Sequence, residues 1–110
     1  MVINLGTNDY VTQPYPPFPV FVEGYKNYID TIRSSYDNAN ISFFLACGPM
    51  TTMPCDTIQH LAETTSGAHF VNLQNILGKG DYGCDGHPNV LGHKKMAALT
   101  MPIVKKVMGW

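Results

Sequence analysis

Three short apolar runs alternate with three longer segments of helical periodicity, and this alternation constrains the fold more than any other feature of the chain. The apolar runs cover residues 2–5, 41–47 and 68–73. The first is apolar on both faces, as expected of a strand buried in a parallel sheet, and the other two are likewise predicted to be strands. Strands that are separated by helices call for parallel pairing with crossover connections, so the order predicts an α/β open sheet.

The first two helical segments have one apolar side each. Over residues 20–36 apolar side chains recur at steps of three and four, and charged residues take the opposite side. The apolar positions are Phe21, Tyr25, Tyr28, Ile29, Ile32 and Tyr36. A second, shorter helix is predicted over residues 56–65 from the same spacing.

A third helix is predicted to follow Asn89, a residue type that caps helices well. We expect a kink at Pro102, because proline cannot donate the hydrogen bond that a helix interior requires. The predicted apolar face consists of Val90, Ala97, Met101, Val104 and Met108.

The connections are marked by proline, glycine and small polar residues. Residues 10–19 contain four prolines, which argue against both a helix and a central strand. Residues 37–40 are typical of a turn, and residues 74–86 hold four glycines and are predicted to form a loop.

Composition excludes several classes of partner. With 7 Lys+Arg against 8 Asp+Glu and no basic block, the chain lacks the charge that drives nucleic-acid binding. No apolar run approaches the roughly 20 residues that span a bilayer, so we expect no membrane segment and no export signal. The Gly78-Lys79-Gly80 string does not extend to the dinucleotide-binding pattern, so no cofactor is expected.

The three cysteines, Cys47, Cys55 and Cys84, match no C-x-x-C metal or redox spacing. A disulfide between Cys47 and Cys55 would close a short loop and would suit a secreted protein, whereas reduced, partly buried thiols fit equally well. A zinc site built from Cys84, Asp85 and His87 with a distant residue would lack paired ligands at short spacing. The prediction is therefore that the chain binds no metal.

Two polar strings carry the chemistry. Gly6-Thr7-Asn8-Asp9 follows the first strand, and Asp85-Gly86-His87-Pro88 leads into the last helix. In an open sheet both fall at the carboxyl edge, where ligands bind. Asn8 offers an amide for an oxyanion, with Gly6 allowing a sharp turn. His87 is a candidate general base that Asp85 would orient. The alternative is that both strings only form turns.

Together these strings resemble two sequence blocks of the SGNH (GDSL-type) serine hydrolases. Gly6-Thr7-Asn8-Asp9 is similar to their Gly-x-Asn-Asp block, and Gly83 to Pro88 resembles the block that contains the catalytic histidine. The usual aspartate position is Cys84 here, and the aspartate is Asp85, two residues before His87. This arrangement is similar to that of the family two carbohydrate esterases, which are acetyl esterases.

The resemblance covers essentially residues 1–110 and implies the C-terminal part of a single domain. It implies a flavodoxin-like, three-layer α/β/α fold with a parallel sheet whose first strands are absent from this chain. The nucleophilic serine and the oxyanion glycine would lie in an N-terminal segment, because none of the chain's serines is in the nucleophile context. These serines are Ser34, Ser35, Ser42 and Ser66.

Without the first strands, the strand at residues 2–5 would present an unpaired edge. We therefore expect this edge to associate with the N-terminal segment or with another copy. The resemblance implies that the chain is one part of an esterase and supplies His87 and Asn8 to its active site. The substrate would be a small ester or an acetylated carbohydrate, and the chain alone would be inactive. The alternative is a non-catalytic remnant or carbohydrate-binding module, with Tyr10, Tyr15, Phe18 and Trp110 as stacking surfaces.

Overall fold

A three-stranded parallel sheet forms the centre of the molecule. The computed structural model describes residues 1–36 and 40–110. The strands are β1 (Val2–Ile3), β2 (Phe43–Cys47) and β3 (Ala68–Asn72), hydrogen-bonded in that order. In the register, Val2 pairs with Phe44 and Leu45 pairs with Phe70. β2 is buried along its whole length, because it has a strand on each side.

Helices cover both faces of this sheet. Along β2, side chains alternate between the faces: Phe43 and Leu45 pack into one core, and Phe44 and Ala46 into the other. The first core is completed by α1 (Phe18–Ser35) and α2 (Cys55–Thr64). The second is covered by α3 (Val90–Met108). The predicted three-layer α/β architecture with a parallel sheet is confirmed.

The element boundaries differ from the predictions by a few residues. α1 begins at Phe18 instead of residue 20, so Pro19 falls within its first turn. Proline is tolerated there because the first backbone N–H groups of a helix have no intrahelical acceptor. β1 is limited to Val2–Ile3, two residues shorter than predicted. The predicted turn at residues 37–40 lies outside the described residues except for Asn40.

Asn89 caps α3 as predicted. Its side-chain oxygen accepts hydrogen bonds from the backbone N–H groups of Leu91 at 2.8 Å and Gly92 at 3.1 Å. These bonds satisfy two of the donors that a helix start leaves unpaired. Pro102 lies inside a helix that is continuous to Met108, and Gly109 ends it in the left-handed conformation.

The face of α3 that meets the sheet is not the predicted one. The residues that pack on the second core are Met96, Leu99, Ile103, Val104 and Val107, whereas Val90 is 71% exposed. Three residues of the predicted face, Ala97, Met101 and Val104, line an open apolar groove of about 390 Å³ beside β1. Val104 belongs to both sets, so the predicted face overlaps the covered one only in part. Periodicity alone does not tell which apolar residues of a helix the sheet covers.

A disulfide joins Cys47, the last residue of β2, to Cys55, the first residue of α2, with 5.2 Å between their Cα atoms. Of the two alternatives left open by the sequence, the structure has the bridge. It closes the connection at residues 48–54, while Cys84 is free and exposed. No helix in the two described ranges is both long and apolar enough to cross a membrane.

Candidate active site

The two polar strings meet in one open cleft at the carboxyl edge of the sheet. The cleft has a volume of about 310 Å³, and it is lined by three connecting segments together with the N-terminal half of α3. Asn8 lies on the segment after β1, Gly48 and Pro49 on the segment after β2, and His87 on the loop before α3. Topology alone brings Asn8 and His87 together, because parallel strands present their carboxyl ends on one side.

Gly6 holds the backbone where Asn8 can reach the cleft. Gly6 is buried with φ of +113°, a conformation that favours glycine. A Cβ at this position would lie 3.2 Å from the Phe21 ring and 3.3 Å from Pro54. Asn8 then begins a short 3₁₀ turn that ends at Tyr10. The Asn8 side chain is exposed and makes no hydrogen bond within the described ranges, so its amide is available to a ligand.

The floor of the cleft is the junction between the ends of β1 and β2. The Asn4 side-chain amide donates to the Gly48 carbonyl at 2.9 Å. Gly48 has φ of +94°, and a Cβ there would lie 2.8 Å from the carbonyl carbon of Leu73. The backbone just after β3 therefore lies closer to residue 48 than a Cβ normally allows. The disulfide between Cys47 and Cys55 lies directly beside this contact.

A small hairpin positions His87. Tyr82 and Pro88 form an antiparallel bridge, and the Gly83 N–H donates to the His87 carbonyl at 2.7 Å. Asp85 lies at the tip with a left-handed backbone, φ 53° and ψ 34°. No hydrogen bond joins the Asp85 carboxylate to the His87 ring in the described part of the chain. The hairpin thus orients the backbone of His87, and a role for Asp85 stays a prediction.

Asp81 anchors this hairpin to α3, a role that no sequence pattern indicated. Its carboxylate accepts hydrogen bonds from Lys95 Nζ at 2.5 Å and from the Gly78 N–H at 2.7 Å. Its carbonyl accepts from the Asn89 N–H at 2.8 Å. At Gly92 an added Cβ would lie 2.6 Å from that same carbonyl. The Asp81 backbone therefore packs directly on the first turn of α3.

The surroundings of Asp81 predict how stability depends on pH. Hydrogen bonds from Lys95 and from the Gly78 backbone lower the pKa of this carboxyl group below its ordinary value of 3.8. A lowered pKa in the folded state stabilises the fold above the unfolded-state pKa, and the contribution disappears as pH falls through the folded-state value. We expect the free energy of unfolding to decline below about pH 4, and Asp81→Asn to reduce this decline.

Urea unfolding of both forms between pH 6 and pH 2.5 measures this effect. Glu23→Gln is the control, because Glu23 is an exposed carboxylate on α1 that forms no ion pair in the described ranges. Equal acid declines for the Asp81→Asn variant and the unmodified chain would show that Asp81 does not contribute.

A second histidine, His93, also lines the cleft, together with Met96. In the sequence His93 lies in a predicted helix, a context that favours a packing or surface role. His93 follows the capping Asn89 by four residues, so it lies in the first turn of α3, next to the hairpin. The four-residue spacing between Asn89 and His93 is the sequence signal that could have placed His93 at the site.

The aromatic residues proposed as stacking surfaces lie at different places in the structure. The Tyr10 ring packs on Phe21 with centroids 5.3 Å apart and on Tyr15 at 5.6 Å, so it anchors the proline-rich loop to the core. Phe18 packs against His60, and Trp110 is 75% exposed at the end of the chain. In the described residues no group of three or more His, Cys, Asp or Glu is arranged to hold a metal ion.

Two comparisons relate the whole chain to known proteins. Cellulase/esterase CelE from Acetivibrio thermocellus is 32% identical to the chain over 120 residues. A solved structure of a carbohydrate esterase family 2 enzyme plus carbohydrate-binding domain, from Corynascus thermopiles (Myceliophthora fergusii), superposes with a TM-score of 0.82 at 26% identity. The chain is a relative of the family 2 carbohydrate esterases.

The relationship extends over the whole chain but over only part of each relative. All of this chain aligns with 14% of CelE, and 99% of it aligns with 37% of the solved family 2 enzyme. No protein-family model matches the chain. Both relatives are esterases by name.

Proposed function

We propose that this chain is the C-terminal part of a serine esterase that hydrolyses carboxylic esters, with acetylated carbohydrates as the substrate class. The observation that carries the proposal is the cleft shared by Asn8 and His87. A general base and an oxyanion donor are the two groups that ester hydrolysis requires beside a nucleophile. The relationship to a family 2 carbohydrate esterase and to CelE supports the substrate class.

In this mechanism His87 takes the proton of a serine hydroxyl as that oxygen attacks the ester carbonyl, and later gives it to the leaving alcohol. The Asn8 amide donates to the oxygen that becomes negative in the tetrahedral intermediate. Asp85, or a backbone carbonyl in its place, would accept from the second ring nitrogen of His87. No serine is among the described residues that line the cleft. The proposed mechanism therefore takes its nucleophile from a segment outside this chain.

The exposed edge of β1 is the place where we propose that the missing part docks. β1 pairs only with β2 in the sheet as described, and Val2 is 54% exposed. An apolar groove lies on each face of this edge: one against α3, and one of about 260 Å³ between Leu5 and α1. A strand added beside β1 would place its alternate side chains in the two grooves. The occupant that we propose is the segment carrying the serine.

Serine labelling with a fluorophosphonate tests the nucleophile and the docking together. We expect no labelling of the 110-residue chain alone and clear labelling once its upstream sequence is present, either covalently or as a separate polypeptide. Labelling of the isolated chain would contradict the proposal, because it would reveal a nucleophile within residues 1–110.

The alternative function, a non-catalytic remnant or carbohydrate-binding module, makes a different prediction. If the chain is a remnant or a binding module, the fluorophosphonate should label no combination of the chain and its upstream sequence. The chain should also bind a saccharide. If labelling fails with the upstream sequence present, the esterase proposal fails and this alternative takes its place.

A further inference from the structure

A second, polar pocket of about 220 Å³ lies at the opposite edge of the sheet, where β3 begins. It is formed between α1 and the turn that follows α2, and it shares no residue with the candidate active site. The residues that line it are Lys26, Asp30, Arg33, Thr64, Thr65 and Ser66.

Arg33 is held in this pocket by three contacts. Its guanidinium lies over the Phe43 ring, 5.2 Å from the ring centroid, and one terminal nitrogen donates to the Ser66 carbonyl. The other terminal nitrogen lies 3.5 Å from a carboxylate oxygen of Asp30. A guanidinium has five N–H donors, and the buried Nε has no acceptor among the described residues. The cation is therefore fixed in place and still has unused donors.

The rest of the pocket adds further donors and little negative charge. Lys26 forms no ion pair within the described ranges, and the buried Thr65 hydroxyl has no hydrogen-bond partner there. Two cations and one carboxylate, that of Asp30, give a formal charge of +1. Buried polar atoms without partners are uncommon in folded proteins and call for a ligand or ordered water. The pocket is suited to a group that is rich in acceptors and carries one negative charge.

We propose that this pocket binds a carboxylate. A carboxylate is planar and accepts two hydrogen bonds, which matches the geometry of a guanidinium. One negative charge balances the formal charge of the pocket. The carboxylate comes either from a free small acid or from an acidic sugar of a saccharide, and the chemistry at the pocket is the same. This site is independent of the proposed esterase function.

Titration of the ¹⁵N-labelled chain with sodium acetate and, separately, with sodium glucuronate tests the proposal. We expect saturable shifts of the backbone amides at residues 65–67, with a dissociation constant in the millimolar range, and none with glucose. Shifts with both acids would indicate that a free small acid is enough to occupy the pocket. Shifts with glucuronate alone would indicate that the carboxylate must be part of a sugar. Either result supports the site.

Two variants with opposite expected effects make the assignment specific. Lys26→Gln removes a cation and should weaken binding about two- to fivefold, the range of exposed charge pairs. Asp30→Asn removes the competing carboxylate and should tighten binding by a similar factor. A residue that served only to stabilise the fold would not improve binding when it is changed.

Arg33 is left unchanged because it packs on Phe43. Asp56→Asn, at the far end of α2, is the matched control and should not change the affinity.

Four results would overturn the proposal, three of them from the titrations of the unmodified chain. These are the absence of saturable shifts with either acid, shifts of equal size with glucose, and tighter binding of inorganic phosphate than of carboxylate. Weaker binding by the Asp30→Asn variant would also overturn it, provided that circular dichroism shows the variant to be folded.

Discussion

Replacing His87 with alanine is expected to lower kcat/KM for ester hydrolysis by about 10³- to 10⁴-fold. The loss should fall on kcat, because the imidazole acts on the proton that moves during the chemical step. The measurement uses hydrolysis of a chromogenic acetate ester by the chain together with the sequence that supplies the serine. Fluorophosphonate labelling of the same variant should be lost in parallel.

Comparison with other variants shows whether His87 is the base. His93 lines the same cleft, so a loss for His93→Ala as large as that for His87→Ala would contradict the assignment. His60→Ala is the control, since His60 is exposed on α2 and packs on Phe18 away from the cleft. For Asp85→Asn, a loss of about 10²-fold or more would make this carboxylate the third catalytic group, as in hydrolase triads. A loss of activity below tenfold would indicate that a backbone group, and not Asp85, orients the imidazole.

Replacing Gly48 with alanine is expected to lower the free energy of unfolding by about 2–4 kcal/mol. Two effects add. The backbone has φ of +94°, which is strained for any residue with a side chain. The new methyl group would also lie 2.8 to 3.0 Å from backbone atoms of Leu73 and Gln74, which cannot move without shifting the end of β3. Urea unfolding followed by circular dichroism measures the change.

Gly80→Ala is the matched control for this prediction. It adds the same methyl group where no heavy atom lies within 4 Å, and the backbone φ is not in the left-handed region. The urea midpoint should therefore change little. If both variants unfolded at the same midpoint, the close approach of β3 to residue 48 would not determine stability.

The order of elements could be predicted because each follows from local chemistry. The run at residues 41–47 is apolar on both faces, and the side chains of β2 divide between two cores accordingly. The cap at Asn89 was predictable because a single side chain satisfies the first N–H groups of α3. The sheet-facing side of α3 was not predictable, since two of its sides are apolar and the uncovered one faces the groove beside β1.

Part of the candidate site was also visible in the sequence. Asn8 and His87 were predicted to lie at one edge, and in the structure they line one cleft. Asp81 was missed because its importance rests on Lys95, which is 14 residues away and carries no sequence signal of pairing. His93 was missed because its helical context favoured a surface role.

By itself, the sequence determined the class of fold, the strand ends that carry polar residues and the pair of motifs that resemble a serine hydrolase. These depend on local periodicity and on residue type, which the order of amino acids contains directly. Only the tertiary structure decided which groups meet: the Asp81–Lys95 ion pair, the close approach of β3 to Gly48, the disulfide and the carboxylate pocket beside Arg33. Each joins segments through packing of the whole chain, and no local pattern specifies such contacts.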